Sequence, residues 1–446
     1  MNYSSALKYL FSFINFERLP FEYKRQFNLK RMVCLLDWFG HPEHSFSSVL
    51  IAGTKGKGST ANFLASILRT NNYQVGLYTS PHLFDPRERI RINGQPISKN
   101  ELAKLIARIR PVIKRRKREV FSLGPITFFE IFTLAAILYF AYKKVKFGVF
   151  EVGMGGRLDA TNVLKPLVSV ITPISFDHEE HLGYSLSSIA KEKAAIIKPD
   201  SFVVSSEQKP EVLRVIKKQI QRQKAKGYFF GSTFKTAREK VSLNGGNFDF
   251  CLGAERWRNF KVSLLGRFQI RNAATALACA SVLENQFGFE LNEGSIKQGF
   301  LEAFWPGRFE VVKREARTFV LDGAHNDASM EQARLALNDL FPKSEVVTIL
   351  GVSREKNLEH ILTPLISRSS HIIVTKSNNP RAQEPKVILE TLVKMGYKKP
   401  TFWASDLKEA IELAERIGPK NAVLFVIGSM FLVGEAREIL RCQKFV

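Results

Sequence analysis

The chain has 446 residues, of which 45% are hydrophobic and 24% are charged. This length and composition allow roughly two to four domains with buried cores, and they exclude both a single small binding module and an intrinsically disordered chain. Sixty-six basic and 42 acidic residues give a net charge of +24. Such a balance favours an anionic ligand, which could be nucleic acid, an anionic membrane surface or a small polyanionic substrate.

Neither the cysteines nor the first residues indicate an extracellular protein. None of the four cysteines stands in a Cys-x-x-Cys spacing, so the sequence predicts neither a disulfide framework nor a zinc cluster. Residues 1–20 lack the basic-then-apolar order and the cleavage site of a signal peptide. The longest apolar run, residues 131–142, is too short for a transmembrane helix and predicts a buried core helix. We therefore expect a cytoplasmic protein without a membrane partner.

Apolar runs rich in β-formers alternate with helical patterns over the first part of the chain. This alternation favours βα units around a parallel sheet, and hence the α/β class. The predicted helix covers residues 59–71, and the predicted strands cover residues 48–52, 74–78, 147–151 and 168–172. Since open α/β sheets bind ligands at the carboxyl ends of their strands, we expect the site there.

The pattern restarts near residues 302–308, after a helix-like stretch at 272–285. We place a domain boundary near residue 300, which gives a first domain over residues 1–300 and a smaller α/β domain over residues 301–446. Strands are predicted in the second domain at residues 318–321, 346–350, 371–375, 401–404 and 422–427.

The strongest local motif is a glycine-rich turn between a predicted strand and a predicted helix, residues 53–60, called the phosphate loop below. Backbone N–H groups there can cradle phosphates, Lys57 can reach the outer phosphates, and Ser59 or Thr60 can approach magnesium. The spacing departs from the Walker pattern because Gly58 separates the lysine from the hydroxyl residues. The motif predicts nucleotide binding.

Two further segments follow predicted strands. Ser80 precedes the cations Arg87, Arg89 and Arg91; on these residues alone, a capped loop with solvated arginines explains the pattern equally well. Glu151 ends an apolar strand before a flexible glycine loop, a position that suits magnesium because this ion prefers oxygen ligands.

The densest basic run covers residues 114–118. We interpret it as a solvated surface segment, with contact to a polyanion as the alternative.

Several motifs together resemble the folylpolyglutamate synthases and dihydrofolate synthases, which are Mur ligases that form amides with ATP. The resemblance is carried in order by the phosphate loop, residues 78–83, residues 155–162, Asp177-His178 and residues 321–326. It extends from residue 9 to residue 434. It implies a P-loop NTPase-like Mur ligase central domain followed by a smaller Rossmann-like α/β domain.

The resemblance also implies roles for individual residues. Nucleotide contacts are expected from Gly53, Thr54, Gly56, Lys57, Gly58, Ser59, Thr60, Asn272, Arg308 and Asp322. Magnesium ligands are expected from Ser59, Ser80, Glu151 and His178. Substrate contacts are expected from Ser80, Pro81, His82, Arg89, Phe129, Asp159 and His325. Catalytic roles are expected for Lys57, His178, Arg308 and Lys193, of which Lys193 would act as a carbamate. Without the resemblance, His178 would be interpreted as a structural histidine and Asp322 as a turn residue.

The implied reaction adds L-glutamate to a folate, and to dihydropteroate, through an acyl phosphate. ATP and two magnesium ions are the expected cofactors, with a monovalent cation as a further one, and a monomer without nucleic acid is expected. The alternatives are a synthase restricted to polyglutamylation, a peptidoglycan-type Mur ligase, a nucleic-acid-dependent ATPase, and a binding protein without turnover.

Overall fold

The computed structural model describes residues 1–17 and 26–442. The chain divides into two compact units that alternate along the sequence. Unit 1 comprises Met1–Ala237, Asp249–Phe260 and Arg271–Ala303, and unit 2 comprises Arg238–Phe248, Lys261–Ile270 and Phe304–Val446. Both are α/β structures, as the sequence predicts. Among the helices of the described ranges, none has the combination of length and hydropathy that crossing a bilayer requires.

Unit 1 is built on an eight-stranded sheet in the order β4-β3-β2-β5-β1-β6-β7-β8. Its strands are β1 Ser47–Ala52, β2 Val75–Tyr78, β3 Ile90–Ile92, β4 Gln95–Pro96, β5 Phe147–Glu151, β6 Val168–Ile171, β7 Phe202–Ser205 and β8 Lys226–Phe229. The six strands from β2 to β8 in this order are parallel, and β3 and β4 add an antiparallel edge. The four strands predicted for this part of the chain are confirmed to within one residue.

The central strands are buried on both faces, which explains why they are continuous apolar runs in the sequence. Ile51 of β1 is paired with Glu151 of β5 on one side and with Val170 of β6 on the other. The carboxyl ends of these three strands therefore meet at one edge of the sheet.

The helices that precede unit 2's main part include α1 Tyr3–Phe11, α2 Leu29–Asp37, α3 Lys57–Thr70, α4 Lys99–Arg116, α5 Phe128–Tyr142, α6 Glu179–Leu182, α7 Leu186–Ala194, α8 Pro210–Arg222, α9 Arg267–Phe287 and α10 Glu293–Glu302. The predicted buried helix is α5, which starts after a capping box formed by Thr127 and Glu130.

The basic run, residues 114–118, forms the last turn of α4 and the start of the 3₁₀ helix after it. Cations there are favoured by the helix dipole.

The main sheet of unit 2 has six strands in the order β12-β13-β17-β14-β15-β16. They are β12 Glu310–Arg314, β13 Arg317–Asp322, β14 Val346–Leu350, β15 His371–Val374, β16 Thr401–Trp403 and β17 Val423–Ile427. All neighbouring pairs are parallel except β12 with β13. The accompanying helices are α11 Asp327–Leu340, α12 Leu358–Arg368, α13 Pro385–Lys394, α14 Leu407–Ile417 and α15 Met430–Ile439. This arrangement confirms the predicted Rossmann-like α/β architecture.

A three-stranded sheet in the order β11-β10-β9 was not predicted. Its strands are β9 Phe234–Ser242, β10 Gly245–Leu252 and β11 Glu255–Val262. Strand β9 carries four charged residues among nine, and most of its side chains are exposed. A strand of this kind lacks the apolar run by which the buried strands were recognised.

Candidate active site

The phosphate loop leads from the end of β1 into the first turn of α3. Gly53 and Gly56 both have positive φ, at 150° and 77°. A Cβ atom on Gly53 would lie 2.9 Å from the carbonyl oxygen of Thr172, and one on Gly56 would overlap the side chain of Asn272. Glycine is therefore required at both positions by backbone conformation and by space. The first N–H groups of α3 have no intrahelical acceptor, so this helix end can receive an anion.

Residues 172–175, which follow β6, support the phosphate loop and are called the supporting segment below. The N–H groups of Thr54 and Lys55 donate to the carbonyl oxygen of Pro173, at 2.9 and 3.1 Å. The Thr54 hydroxyl donates to the carbonyl oxygen of Ser175 at 3.1 Å and accepts from its N–H at 3.2 Å. These four contacts fix the first half of the phosphate loop.

Three lysines lie in or against the phosphate loop: two belong to it, and the third comes from α7. Lys57 Nζ lies 3.5 Å from the carbonyl oxygen of Thr54, and Lys55 Nζ lies 3.3 Å from Asp177 Oδ2. Lys193, on α7, is buried and donates to the carbonyl oxygen of Gly53 at 2.9 Å. Burial, and next the nearby charge of Lys57, lower the pKa of Lys193 to about 7. A substantial fraction of Lys193 is therefore neutral near neutral pH.

Oxygen donors gather beside the phosphate loop. Glu151, at the end of β5, is buried, and its Oε2 accepts from the N–H of Ser80 at 3.2 Å. Ser80 follows β2, the strand next to β5, and Ser59 lies in the first turn of α3. Within residues 1–17 and 26–442, no three His, Cys, Asp or Glu side chains are grouped so as to hold a metal ion. Magnesium that accompanies a nucleotide commonly takes only one or two protein carboxylates besides phosphate oxygens and water, and Glu151 with the two hydroxyls fits that chemistry.

His178 lies close to this edge but is more exposed. Its side chain is 41% exposed, and its Nε2 lies 4.0 Å from Asp177 Oδ1. Asp177 is the residue that pairs with Lys55. The structure therefore places His178 next to Asp177, the partner of Lys55 in the phosphate loop.

Phe129 and Asp159 both lie next to Gly153. A Cβ atom on Gly153 would lie 2.6 Å from the Phe129 ring and 3.3 Å from Asp159 Oδ2. Asp159 is buried and accepts from the N–H groups of Met154 and Thr161, both at 3.0 Å. Burial is the largest influence and raises the pKa of Asp159. A partly exposed aromatic ring beside a buried carboxyl suits a flat, polar heterocycle.

Arg89 is fully buried. Its two terminal nitrogens donate to Glu17 Oε1 and Oε2 at 2.7 and 2.6 Å, and its Nε lies 2.8 Å from His82 Nδ1. This arrangement makes Arg89 a residue that orients His82, which is itself half-buried, while Pro81 is exposed. The sequence analysis did not identify Glu17, which is 72 residues from Arg89.

In unit 2, the sequence-predicted residues cluster at the carboxyl end of β13. Asp322 is buried and accepts from the N–H groups of Phe309 and Ala324, both at 2.7 Å. Burial raises the pKa of Asp322, and the charge of Arg308 opposes this change. His325 Nδ1 lies 2.8 Å from the carbonyl oxygen of Gly323.

Arg308 Nη1 lies 2.8 Å from Met430 Sδ. The guanidinium also packs against Gly323, where a Cβ atom would come within 2.9 Å of it. Arg308, Asp322 and His325 thus occupy one corner of unit 2. Met430 was not identified from the sequence, because a methionine at the start of a helix carries no signal of its own.

Two protein-family models match this chain, one in each of its two main parts. The Mur ligase middle domain matches residues 51–280, and the Mur ligase glutamate ligase domain matches residues 307–430. The dihydrofolate synthase/folylpolyglutamate synthase of Bacillus subtilis is 32% identical over 414 residues, which cover 93% of this chain and 95% of that protein.

Solved structures give the same result. The Mycobacterium tuberculosis folylpolyglutamate synthase complexed with ADP has a TM-score of 0.88 and 31% identity, covering 99% of this chain and 100% of that chain. An FPGS–AMPPCP–folate complex has a TM-score of 0.85 and 29% identity, with 99% and 100% coverage. The chain therefore belongs to the folylpolyglutamate synthase and dihydrofolate synthase family of Mur ligases.

Proposed function

We propose that this chain is an ATP-dependent ligase that joins L-glutamate to a carboxylate of a reduced folate, and to dihydropteroate, with release of inorganic phosphate. The observation that carries the proposal is one edge of the unit 1 sheet. There the phosphate loop follows β1, Glu151 ends the neighbouring strand β5 and contacts Ser80 after β2, and Lys193 of α7 donates to the loop. The family's solved complexes with ADP, with AMPPCP and with folate support the choice of substrates.

ATP fits the phosphate loop because the loop leads into the first turn of α3, whose N–H groups have no intrahelical acceptor and can receive an anion. We assign the phosphate contacts to residues Gly53, Thr54, Gly56, Lys57, Gly58, Ser59 and Thr60. Among the residues that the structure describes, no side chain or backbone group forms a hydrogen bond with the buried Thr60 hydroxyl. Asn272 packs against Gly56 and is the proposed contact to the base.

Magnesium would be held by Ser59, Ser80 and Glu151, and a second ion by His178. When bound, magnesium neutralises charge that develops on the phosphate oxygens. A monovalent cation is a further candidate on the evidence of the resemblance alone.

The chemistry begins with a carboxylate, which is a poor electrophile. A carboxylate oxygen of the folate attacks the γ-phosphorus of ATP, the bond to ADP breaks, and an acyl phosphate forms. The glutamate amine then attacks the acyl carbon, loses a proton, and the C–O bond to phosphate breaks. Negative charge spreads over phosphoryl oxygens in the first step, so Lys57 and Arg308 are the groups expected to lower its barrier.

Lys193 is proposed to act as a carbamate. Its amine, with a pKa of about 7, is neutral often enough to attack carbon dioxide, which forms an N–C bond and releases one proton. The product carries a negative charge, which the neighbouring cations Lys57 and Lys55 favour.

The pterin and aminobenzoyl rings are proposed to bind beside Phe129 and Asp159, with Ser80, Pro81 and His82 as further contacts and Arg89 orienting His82. Residues 1–300 would form the ATP- and folate-binding domain. Residues 301–446 would form the glutamate ligase domain, in which Arg308 and Asp322 contact nucleotide and His325 contacts glutamate. A cytoplasmic monomer is expected.

The test incubates the purified chain with MgATP, glutamate and either dihydropteroate, tetrahydrofolate or no pterin, and records phosphate release and product masses. Glutamate addition to both acceptors is the expected result. Addition to tetrahydrofolate alone would restrict the function to polyglutamylation. Addition to neither would contradict the proposal.

A further inference from the structure

The supporting segment is itself held by one side chain from the next strand connection. Gln208 lies between β7 and α8, and β7 is the neighbour of β6 in the sheet. Its Nε2 donates to the carbonyl oxygen of Thr172 at 3.0 Å and is 3.4 Å from that of Ile171. Its Oε1 accepts from the N–H of Ile174 at 3.0 Å. One amide thus binds the backbone on both sides of Pro173.

This position matters because Pro173 has no N–H group of its own with which to stabilise the turn. Its carbonyl oxygen receives two hydrogen bonds from the phosphate loop, those of Thr54 and Lys55. If the peptide groups around Pro173 rotate, that oxygen turns away from both donors. The Gln208 amide opposes such a rotation.

We infer that Gln208 is a positioning residue for nucleotide binding, acting through the supporting segment on the phosphate loop. It lies outside the contacts assigned to ATP, magnesium or folate. The inference rests on the proposed function only for the identity of the ligand at the phosphate loop.

The test compares Gln208→Met, which keeps the side-chain length and removes all three hydrogen bonds of the amide, with Gln221→Met on the exposed face of α8. Affinity for magnesium–AMPPCP is measured without folate or glutamate. Gln208→Met is expected to weaken this affinity about tenfold, since the hydrogen bonds that order the supporting segment are lost. Gln221→Met is expected to bind as the wild type does.

Hydrogen exchange separates positioning from a general loss of stability. In Gln208→Met without ligand, the amides of Thr54 and Lys55 should exchange faster, while amides of β5 and β17 keep their wild-type rates. Gln208→Glu keeps an acceptor for Ile174, but its second carboxylate oxygen would face the carbonyl oxygens of Ile171 and Thr172 and be repelled by them, so an increase in the same two amides at least as large is expected. This second variant also serves if Gln208→Met does not fold.

Unchanged exchange at Thr54 and Lys55, or AMPPCP affinity equal to that of the wild type in a folded variant, would overturn the inference. A wild type that binds AMPPCP but adds no glutamate to any folate would contradict the proposed function. That result would leave the role of Gln208 standing, because neither measurement uses a folate.

Discussion

Lys193 Nζ donates to the carbonyl oxygen of Gly53 at 2.9 Å, so the buried lysine of α7 contacts the phosphate loop directly. The contact brings a group with a pKa of about 7 to the first residue of that loop. A change in the charge of Lys193 should therefore change the electrostatic potential at the proposed nucleotide site.

Ligation by the wild type should depend on bicarbonate and on pH. Lys193 is protonated below pH 7, and its ammonium form cannot attack carbon dioxide; above pH 7 the neutral amine predominates. Compared at equal concentrations of dissolved carbon dioxide, enzyme stripped of carbon dioxide should thus regain activity faster at pH 8 than at pH 6. Lys193→Met should show no bicarbonate response. An unmodified Lys193 in the active enzyme, established by mass spectrometry under neutral conditions, would contradict the carbamate.

Lys57→Ala should reduce ATP-driven ligation to a small residual rate while the fold is retained. The loss expected for a cation that stabilises phosphoryl charge is about 10² to 10³ in kcat. Lys218→Ala, at an exposed position of α8, is the matched control and should retain full activity. Normal ligation by a folded Lys57→Ala variant would refute the assignment of the phosphate loop.

Gly56→Ala should reduce nucleotide affinity far more than Gly94→Ala. Both glycines have positive φ, so each alanine carries a backbone cost of about 1 kcal/mol. Only at Gly56 does the new methyl group meet a neighbour, the Asn272 side chain, whereas Gly94 faces open space. Calorimetric titration with AMPPCP measures the difference. Equal affinities of the two variants would show that this close approach is unimportant.

Arg89→Met should lower the free energy of unfolding by about 3 kcal/mol, because it leaves Glu17 without its bidentate partner and His82 without its contact to Arg89 Nε. Urea denaturation measures this change. Arg108→Met, at an exposed position of α4, should change stability by less than about 0.5 kcal/mol. If Arg89→Met left stability intact and raised only the KM for folate, Arg89 would be a ligand contact and not an orienting residue.

The sequence alone predicted those parts of the fold and of the site that depend on local sequence patterns. Buried parallel strands are continuous apolar runs, and their carboxyl ends must meet, so the phosphate loop and Glu151 could be placed at one edge before any coordinates. Contacts between distant segments could not be predicted in this way. Glu17 lies 72 residues from Arg89, and the buried pair of Arg31 and Glu130 spans 99 residues.

The charged sheet of β9, β10 and β11 escaped prediction for another reason. Most residues of β9 and β11 are exposed, and β10 places its buried side chains, such as Phe248 and Phe250, at alternate positions. None of the three strands is therefore a continuous apolar run like those of the main sheets. The dense basic run at the end of α4 and in the 3₁₀ helix after it lies at the surface, where Lys114, Arg115, Lys117 and Arg118 are exposed; its interpretation as a solvated segment stays a prediction.

The most direct test of the central claim follows oxygen from the folate carboxylate. Tetrahydrofolate labelled with ¹⁸O in its γ-carboxylate is incubated with the enzyme, MgATP and glutamate. Mass spectrometry then measures the masses of the folate product and of the released phosphate. The account predicts one glutamate added per phosphate released, with one ¹⁸O atom in that phosphate, because the acyl phosphate transfers the carboxylate oxygen. Phosphate without the label, or phosphate released without glutamate addition, would contradict it.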